Sequence, residues 1–321
     1  MSSNQHSMLV GDIGGTNARF AVLDQQRRPL NARTYTAADY PSLGTALQQF
    51  LQDESLQAPQ QAAIAVATRV LDDTIAFTNN EKWSFSRQAL ASELGIGELH
   101  VVNDFTALAL SVPHLPAESL RKVGAGEVVP GQPIGVVGPG TGFGVSGLIP
   151  LPEIGGYKAL NSEGGHSSAS PSTQRELAVL SVFLDRFGHV SFERFLSGPG
   201  LVNVYQALCE IDGVKQVVTE PAQVTELGLN GSNAQCVETL HLFCGLLGSY
   251  AGDLALTLGA SGGIFIGGGI VPRLGDFFAQ SGFRQRFESK GRVSDELAPV
   301  PTFVIHDPYP GLLGAATLLN T

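Results

Sequence analysis

The sequence predicts an α/β fold in two domains, because short apolar strands alternate with helices and because one strand–turn–strand pattern occurs twice. The chain has 321 residues, enough for two domains at about 150 residues each. Glycine contributes 39 residues, well above the usual share of about 7%. Since glycines permit tight turns and close approach of the backbone to other groups, their clusters indicate where a ligand could lie against the main chain.

Composition and charge exclude several classes of protein. Lys and Arg total 19 against 29 Asp and Glu, which gives a formal net charge of −10 and argues against a basic surface for nucleic acid. Small phosphates are still acceptable ligands, because backbone N–H groups bind them whatever the net charge. The three cysteines (209, 236 and 244) form no CxxC pair, so neither a zinc site nor a disulfide framework is predicted.

The chain shows no signal for export or membrane insertion. Its first residues lack a basic segment followed by an apolar one. The uncharged stretch 254–272 is long enough to span a membrane, but its glycines fit the end of a helix, a short strand and a turn better. We therefore expect a cytoplasmic protein that does not contact membranes.

The elements follow from apolar runs, caps and breakers. In the first part of the chain, strands are predicted at 8–11, 18–23, 62–67, 74–77 and 99–102. Ser86 is a plausible N-cap for one helix, and a second helix is predicted at 105–112. A proline-rich linker is expected over 113–133. Beyond it, the pattern predicts strands at 134–137, 143–149 and 264–266 and helices at 173–186 and 237–258.

An internal similarity links the two parts of the chain. Val10–Thr16 and Val137–Gly142 both read as strand, glycine turn and strand, and they begin 127 residues apart. Chance explains such a match, because hairpins of this kind are common. The alternative, which the position of each hairpin near the start of its half favours, is a duplicated domain with one phosphate-holding hairpin in each copy facing the other across a cleft.

The common nucleotide and hydrolase signatures are weak or missing. No GxxxxGK[ST] sequence is present. Gly142–Gly147 matches GxGxxG but lies within a strand–turn–strand, and Gly259–Gly263 matches GxSxG with the helix and strand in the wrong order.

A coherent set of glycine turns remains. Gly11–Asn17 places a carboxylate at the end of a strand, beside a turn whose N–H groups can hold phosphates, while Asp12 holds magnesium directly or through water. Gly138–Gly142 could hold the other side of the phosphates. The bare backbone at Gly267–Gly269 would let an adenosine lie close.

Six motifs in order resemble the bacterial glucokinases of the hexokinase and actin-like ATPase superfamily. They are GDIGGTNARF, VVNDFTA, GPGTGFGV, EGGH, SFERFLSGPGL and GGIFIGGGIVPR, and the resemblance runs from about residue 8 to residue 316. The cysteine-rich zinc motif of the repressor–kinase (ROK) sugar kinases is absent, so the chain is similar to the other branch.

The resemblance implies a fold and an activity. The fold would be two actin-like (ribonuclease H-like) domains with a cleft between them: a small domain of residues 1–112 plus 306–321, and a large one of 113–305. The activity would be transfer of phosphate from ATP, with Mg²⁺, to the 6-hydroxyl of glucose in the first step of glycolysis. A homodimer is also implied.

The resemblance also assigns roles to individual residues. Asp104 matches the catalytic base. The sugar-binding set is Asn103, Asp104, Gly142, Glu163, His166 and Glu193. The ATP-binding set is Gly11, Asp12, Ile13, Gly14, Gly15, Thr16, Asn17, Gly140, Thr141, Gly268 and Gly269, with Asp12 as the Mg²⁺ residue.

On the residues alone, three of these roles have simpler alternatives. Asp104 is typical of a helix cap. His166 could be an ordinary loop histidine, and Glu193 an ordinary charge on a solvated helix face.

Two segments beside the expected sugar site depart from the family pattern, Thr68–Asp73 and Ser167–Ala169. They leave the accepted hexose open, with mannose, glucosamine and an N-acetylhexosamine as alternatives to glucose. A diphosphate or ADP could also replace ATP as donor. A sugar sensor that kept the fold and lost turnover is the alternative from another class, but the presence of both Asp12 and Asp104 favours an enzyme.

Overall fold

The computed structural model describes residues 8–77, 81–153 and 155–319. By its internal contacts the chain divides into two compact units. Unit 1 comprises Met1–Pro116 together with Asp307–Thr321, and unit 2 comprises Ala117–His306.

Unit 1 contains a five-stranded sheet and a separate two-stranded one. The strands are β1 (Met8–Ile13), β2 (Asn17–Leu23), β3 (Pro29–Thr36), β4 (Gln61–Val66), β5 (Thr74–Ile75), β6 (Phe85–Ser86) and β7 (Glu98–Asn103). The helices in this part are α1 (Leu43–Asp53), α2 (Arg87–Leu94) and α3 (Asp104–Ser111). Ser86 caps α2 as predicted, since its hydroxyl accepts a hydrogen bond from the backbone N–H of Ala89 at 3.1 Å.

The large sheet of unit 1 has the order β3-β2-β1-β4-β7. β1, β2 and β3 are antiparallel neighbours, whereas β1, β4 and β7 run parallel. Ile13, Val66 and Asn103 are in register at the carboxyl ends of the three parallel strands. This edge therefore collects the residues that end β1 and β7, Asp12 and Asn103 among them.

Unit 2 contains a six-stranded sheet covered by helices. Its strands are β8 (Leu120–Lys122), β9 (Ile134–Pro139), β10 (Phe143–Pro150), β11 (Tyr157–Ala159), β12 (Ile264–Ile266) and β13 (Thr302–Ile305). Its helices are α4 (Gln174–Phe187), α5 (Gly198–Asp212), α6 (Pro221–Leu229), α7 (Ala234–Leu258), α8 (Val271–Leu274), α9 (Asp276–Gln280), α10 (Phe283–Glu288) and α11 (Ser294–Leu297).

The two large sheets share one topology. Unit 2 has the order β11-β10-β9-β12-β13, extended by β8 at the far edge. As in unit 1, the first three strands are antiparallel neighbours and the next pairings are parallel. The hairpins β1–β2 and β9–β10 therefore occupy the same position in each sheet, which confirms a duplicated topology over a chance match.

Two predicted segments differ from the structure. The expected linker over 113–133 is wrong in part, because it contains β8, which pairs antiparallel with β13. A strand of three residues whose partner lies far along the chain leaves little pattern in its own sequence. The predicted strand 74–77 is shorter in the structure, where only Thr74 and Ile75 pair with β6.

The uncharged stretch 254–272 has the predicted structure. It contains the end of α7 at Leu258, then the short strand β12, and then a glycine turn. Among the helices of the described residues, none is long and apolar enough to cross a membrane.

The last helix, α12 (Pro310–Ala316), returns to unit 1 and packs against α3. The contact depends on Gly314, because a Cβ at this position would lie 1.7 Å from the carbonyl oxygen of Ala107. Since α3 begins at Asp104, this packing holds the start of α3 relative to the sheet.

Replacing Gly314 with Ala should push α12 away from α3 and lower the free energy of unfolding by about 1–3 kcal/mol, the usual cost of overpacking. Urea unfolding measures the change. The control is Gly282→Ala, because Gly282 has φ −69° and open space around the site of a Cβ. Equal unfolding midpoints for the two variants would contradict the close contact between α12 and α3.

Candidate functional site

Asn103 joins β7 to α3, and both the oxygen and the nitrogen of its side-chain amide form hydrogen bonds there. Its Oδ1 caps α3 by accepting hydrogen bonds from the N–H groups of Phe105 (2.9 Å) and Thr106 (3.2 Å). Its Nδ2 donates to the carbonyl of Thr68 at 3.2 Å and to the Asp104 carboxylate at 3.0 Å. An amide has two donor and two acceptor positions, so Asn103 is saturated within unit 1.

Asp104 is the first residue of α3, and its carboxylate is fixed through one oxygen. Oδ1 accepts hydrogen bonds from the N–H of Phe105 (2.8 Å) and from Asn103. Burial and, secondarily, the negative charge of Asp12 raise the pKa of Asp104 to about 7, against the opposing effect of these hydrogen bonds. Asn103 is the N-cap of this helix, and Asp104 is a half-buried carboxylate that can accept a proton near neutral pH.

Asp12 lies near the end of β1, at the same edge of the sheet. Arg19 on β2 is its register partner and donates to Oδ2 at 3.3 Å. Burial raises the pKa of Asp12, and the neighbouring Arg19 opposes that shift. α12 approaches closely here, because a Cβ at Gly311 would lie 3.0 Å from the Asp12 carboxyl carbon.

The segment Gly11–Asn17, predicted to bind ATP, forms the end of β1, the turn and the start of β2. The N–H of Gly14 donates to the carbonyl of Asn17 at 2.9 Å, which closes the turn. The carbonyl of Thr16 accepts from the N–H of Ala37 at 2.8 Å. The predicted ATP-binding residues of unit 1 therefore form one continuous segment that includes Asp12.

The other predicted ATP-binding residues lie together in unit 2. Gly140 and Thr141 form the turn between β9 and β10, and Gly268 and Gly269 follow β12, the parallel neighbour of β9. Gly268 has φ +77°, and a Cβ there would lie 2.3 Å from the carbonyl oxygen of Pro139. Only glycine allows this close approach of the two turns.

Four of the predicted sugar-binding residues also lie together in unit 2. The His166 ring is 3.9 Å from Glu163 through Nε2 and 4.0 Å from Glu193 through Nδ1. Glu193 Oε2 accepts a hydrogen bond from the N–H of Phe143 at 2.9 Å, directly after Gly142. The His166 side chain is 60% exposed, so a ligand can reach it. We call Glu163, His166 and Glu193 the carboxylate–histidine cluster.

Sequence reasoning assigned no role to three residues at these sites. Arg19 lies in the motif GDIGGTNARF. The register of a β1–β2 hairpin places it opposite Asp12, which could have indicated the ion pair. Gly311 and Tyr250 left no local signal, because both act through contacts with residues distant in the sequence. A Cβ at Gly164 would lie 2.6 Å from the Tyr250 hydroxyl oxygen.

The residues present fit a magnesium ion shared with a nucleotide. Among the described residues, no group of three or more His, Cys, Asp and Glu side chains could hold a metal by itself. Mg²⁺ typically binds to one or two carboxylates together with phosphate oxygens and water. A single carboxylate, Asp12, beside a turn of backbone N–H groups suits that kind of shared site.

The fold and the site define a class of protein, the phosphotransferases that act on sugars. In unit 1 a glycine hairpin of the kind that holds phosphates adjoins two half-buried carboxylates. In unit 2 a second glycine hairpin adjoins a cluster suited to binding hydroxyl groups. The glucokinase family model matches residues 9–321, and the chain belongs to the glucokinase family.

Several known proteins are similar to the chain over nearly its whole length. A glucokinase of Aromatoleum aromaticum is 48% identical over 320 residues, covering 99% of this chain and 96% of that protein. A glucokinase of Chromobacterium violaceum is also 48% identical, over 97% of this chain and 88% of the relative. This protein is therefore an enzyme, a kinase of the transferase class.

Solved structures confirm the predicted actin-like ATPase fold. A glucokinase from an Antarctic psychrotroph superposes with a TM-score of 0.88 at 36% identity, covering 98% of both chains. A ROK-family glucokinase from Streptomyces griseus, solved with glucose and AMPPNP, gives a TM-score of 0.65 at 19% identity over 97% and 98% of the two chains, a likeness of fold alone.

Asp104→Asn should stabilise the folded protein at pH 8, because the folded state holds an ionised carboxylate in surroundings that disfavour it. The gain should shrink as the pH falls from about 7 and vanish below the ordinary pKa of 3.8, where the carboxyl is protonated in both the folded and unfolded states. Urea unfolding across this pH range measures the gain.

Asp24→Asn is the control of opposite sign. The pKa of Asp24 is lowered, first by the backbone N–H of Arg28, so its loss should cost stability above pH 4. An Asp104→Asn variant that is less stable than the wild type at pH 8, or equally stable at every pH, would show that burial does not raise this pKa.

Proposed function

We propose that the protein transfers the γ-phosphoryl group of ATP to the 6-hydroxyl of glucose, with Asp104 as the general base. The observation that carries the proposal is the position of Asp104 at the start of α3, at the sheet edge that also holds Asp12, where its pKa is raised to about 7. A carboxyl with such a pKa exchanges protons readily at neutral pH, which an unperturbed Asp does not.

Asp104 accepts the proton of the 6-hydroxyl as that oxygen attacks the γ-phosphorus. The hydrogen bonds from Phe105 and Asn103 to Oδ1 hold the carboxylate in one orientation. The start of α3 is held in turn by the packing of α12. The base is thus positioned before the sugar arrives, which lowers the entropic cost of the reaction.

The phosphates lie against the backbone of the turns at Gly14–Asn17, Gly140–Thr141 and Gly268–Gly269. Asp12 holds Mg²⁺, directly or through water, and the ion when bound neutralises charge on the phosphate oxygens. The ion pair with Arg19 on the neighbouring strand β2 orients the Asp12 carboxylate.

The carboxylate–histidine cluster binds the sugar hydroxyls. Each carboxylate accepts hydrogen bonds, and the imidazole both donates and accepts, so neighbouring hydroxyls can be held with both of their hydrogen-bonding roles satisfied. Gly142 contributes its backbone at the same point. Asn103 also contacts a ring hydroxyl, for which it must exchange its 3.2 Å bond to the Thr68 carbonyl.

In the proposed function the base is supplied by unit 1 and the sugar-binding cluster by unit 2. We take the units as the two domains expected from the sequence. Assembly of the site only when a hexose is bound would keep Asp104 from activating water, the competing acceptor.

Three finer points belong to the same proposal. The expectation that the chain lies outside the ROK branch is not supported by the family match, which shows the glucokinase family. We also propose a homodimer, as the family resemblance implies, and a cytoplasmic location, where ATP is available. Glucose is the substrate rather than another hexose because relatives at 48% identity carry the name glucokinase.

A coupled assay of ADP release over glucose, mannose, glucosamine and N-acetylglucosamine tests the proposal. Glucose should give the highest kcat/KM, and ATP hydrolysis without sugar should be far slower. Asp104→Ala should lower kcat for glucose by about 10²–10⁴-fold, the range for loss of a positioned base, while glucose still binds in calorimetric titration.

Three results would count against the proposal. A higher kcat/KM for another hexose would reassign the substrate. Glucose binding without turnover of any sugar would favour the sensor alternative. A near-normal kcat for Asp104→Ala would leave Asp104 with only a structural role at the start of α3.

A further inference from the structure

Tyr250 lies beneath the segments that carry the carboxylate–histidine cluster. It is a residue of α7 and only 7% exposed. Its ring meets the Phe143 ring edge-on, with centroids 4.9 Å apart, and the Phe192 ring in the same way at 4.7 Å. Both phenylalanines are buried in the same core as Tyr250.

These two rings directly adjoin the cluster. The N–H of Phe143 donates to Glu193 Oε2 at 2.9 Å, so a shift of Phe143 moves the donor that orients this carboxylate. Phe192 immediately precedes Glu193, and its N–H donates to the Ser167 carbonyl at 3.0 Å. The ring of Tyr250 thus supports Glu193 from two sides.

The hydroxyl of Tyr250 contacts the segment that carries Glu163 and His166. It lies against Gly164, between Glu163 and His166, where a Cβ would be 2.6 Å from the hydroxyl oxygen. The Ser167 side chain also interacts with this hydroxyl, and Ser167 Oγ donates to the Gly164 carbonyl at 2.7 Å. Burial raises the pKa of Tyr250 to about 12, so the hydroxyl stays protonated at neutral pH.

We propose that Tyr250 is a positioning residue for sugar recognition, which holds Glu163, His166 and Glu193 in one arrangement through its ring and its hydroxyl. This inference rests on the proposed role of the cluster in binding glucose. The cluster binds the sugar hydroxyls in both the ground state and the transition state, so Tyr250 sets the affinity for glucose rather than kcat.

The main test compares Tyr250→Leu with Tyr205→Leu. Tyr205 is a fully buried tyrosine of the same core, and its hydroxyl accepts a hydrogen bond from Val217, away from the cluster. Tyr250→Leu should weaken glucose binding, and raise KM for glucose, by about tenfold, with kcat and KM for ATP within about twofold. Tyr205→Leu should lower thermal stability while leaving glucose binding within about twofold.

A second test remains available if Tyr250→Leu does not fold. Gly164→Ala alone should raise KM for glucose, because the new methyl group meets the Tyr250 hydroxyl. Adding Tyr250→Phe removes that oxygen and should restore most of the lost affinity, since the remaining neighbours, Val145 and Ser162, are side-chain atoms at 3.0 and 3.2 Å. Such suppression requires contact between the hydroxyl and Gly164.

The outcomes separate this inference from the proposed function. A wild-type protein that does not bind glucose overturns the function and this inference with it. Normal glucose binding by wild type and by Tyr250→Leu, equal losses for the Tyr205 and Tyr250 variants, or a loss confined to kcat overturns the inference alone. If adding Tyr250→Phe does not restore the glucose affinity lost in Gly164→Ala, the positioning role of the Tyr250 hydroxyl is overturned.

Discussion

Two half-buried carboxylates at the carboxyl ends of parallel strands in one sheet cannot both ionise freely, and the proposed chemistry of unit 1 depends on this constraint. β1 and β7 are separated only by β4, so Asp12 and Asp104 end on the same side of the sheet. Burial and mutual repulsion raise the pKa of Asp104 to about 7, while Arg19 offsets part of the burial cost at Asp12. One carboxylate is thereby suited to a cation and the other to a proton.

Glycine makes the necessary close packing feasible in both units. At Gly314 and Gly268 a Cβ would lie 1.7 and 2.3 Å from a backbone oxygen, a distance that no side-chain movement could relieve. The first contact holds α12 on α3, and the second brings the turn after β12 to the turn after β9. The high glycine content thus reflects backbone contacts around the proposed site as well as ordinary surface turns.

Local patterns predicted much of the fold, and nonlocal contacts limited the rest. The cap at Ser86 and the strand Ile264–Ile266 were predictable because a cap and an apolar run between glycines are local signals. β3 was missed because it is a mostly exposed edge strand without clear alternation, and β8 because its partner lies far along the chain. In the candidate site, motifs predicted roles for Asp12, Asp104 and the cluster, and these roles stay predictions. Tyr250 has no motif and gains its position only from tertiary packing.

The pKa of Asp104 itself tests the central claim most directly. Carbon-13 NMR of the aspartate carboxyl groups, assigned with Asp104→Asn, follows its titration in the sugar-free enzyme. A titration near pH 7 is predicted, and Asp12→Asn should move it to lower pH, because a neutral neighbour no longer opposes ionisation. A titration near 4, or one that Asp12→Asn leaves unchanged, would contradict the coupling of the two carboxylates.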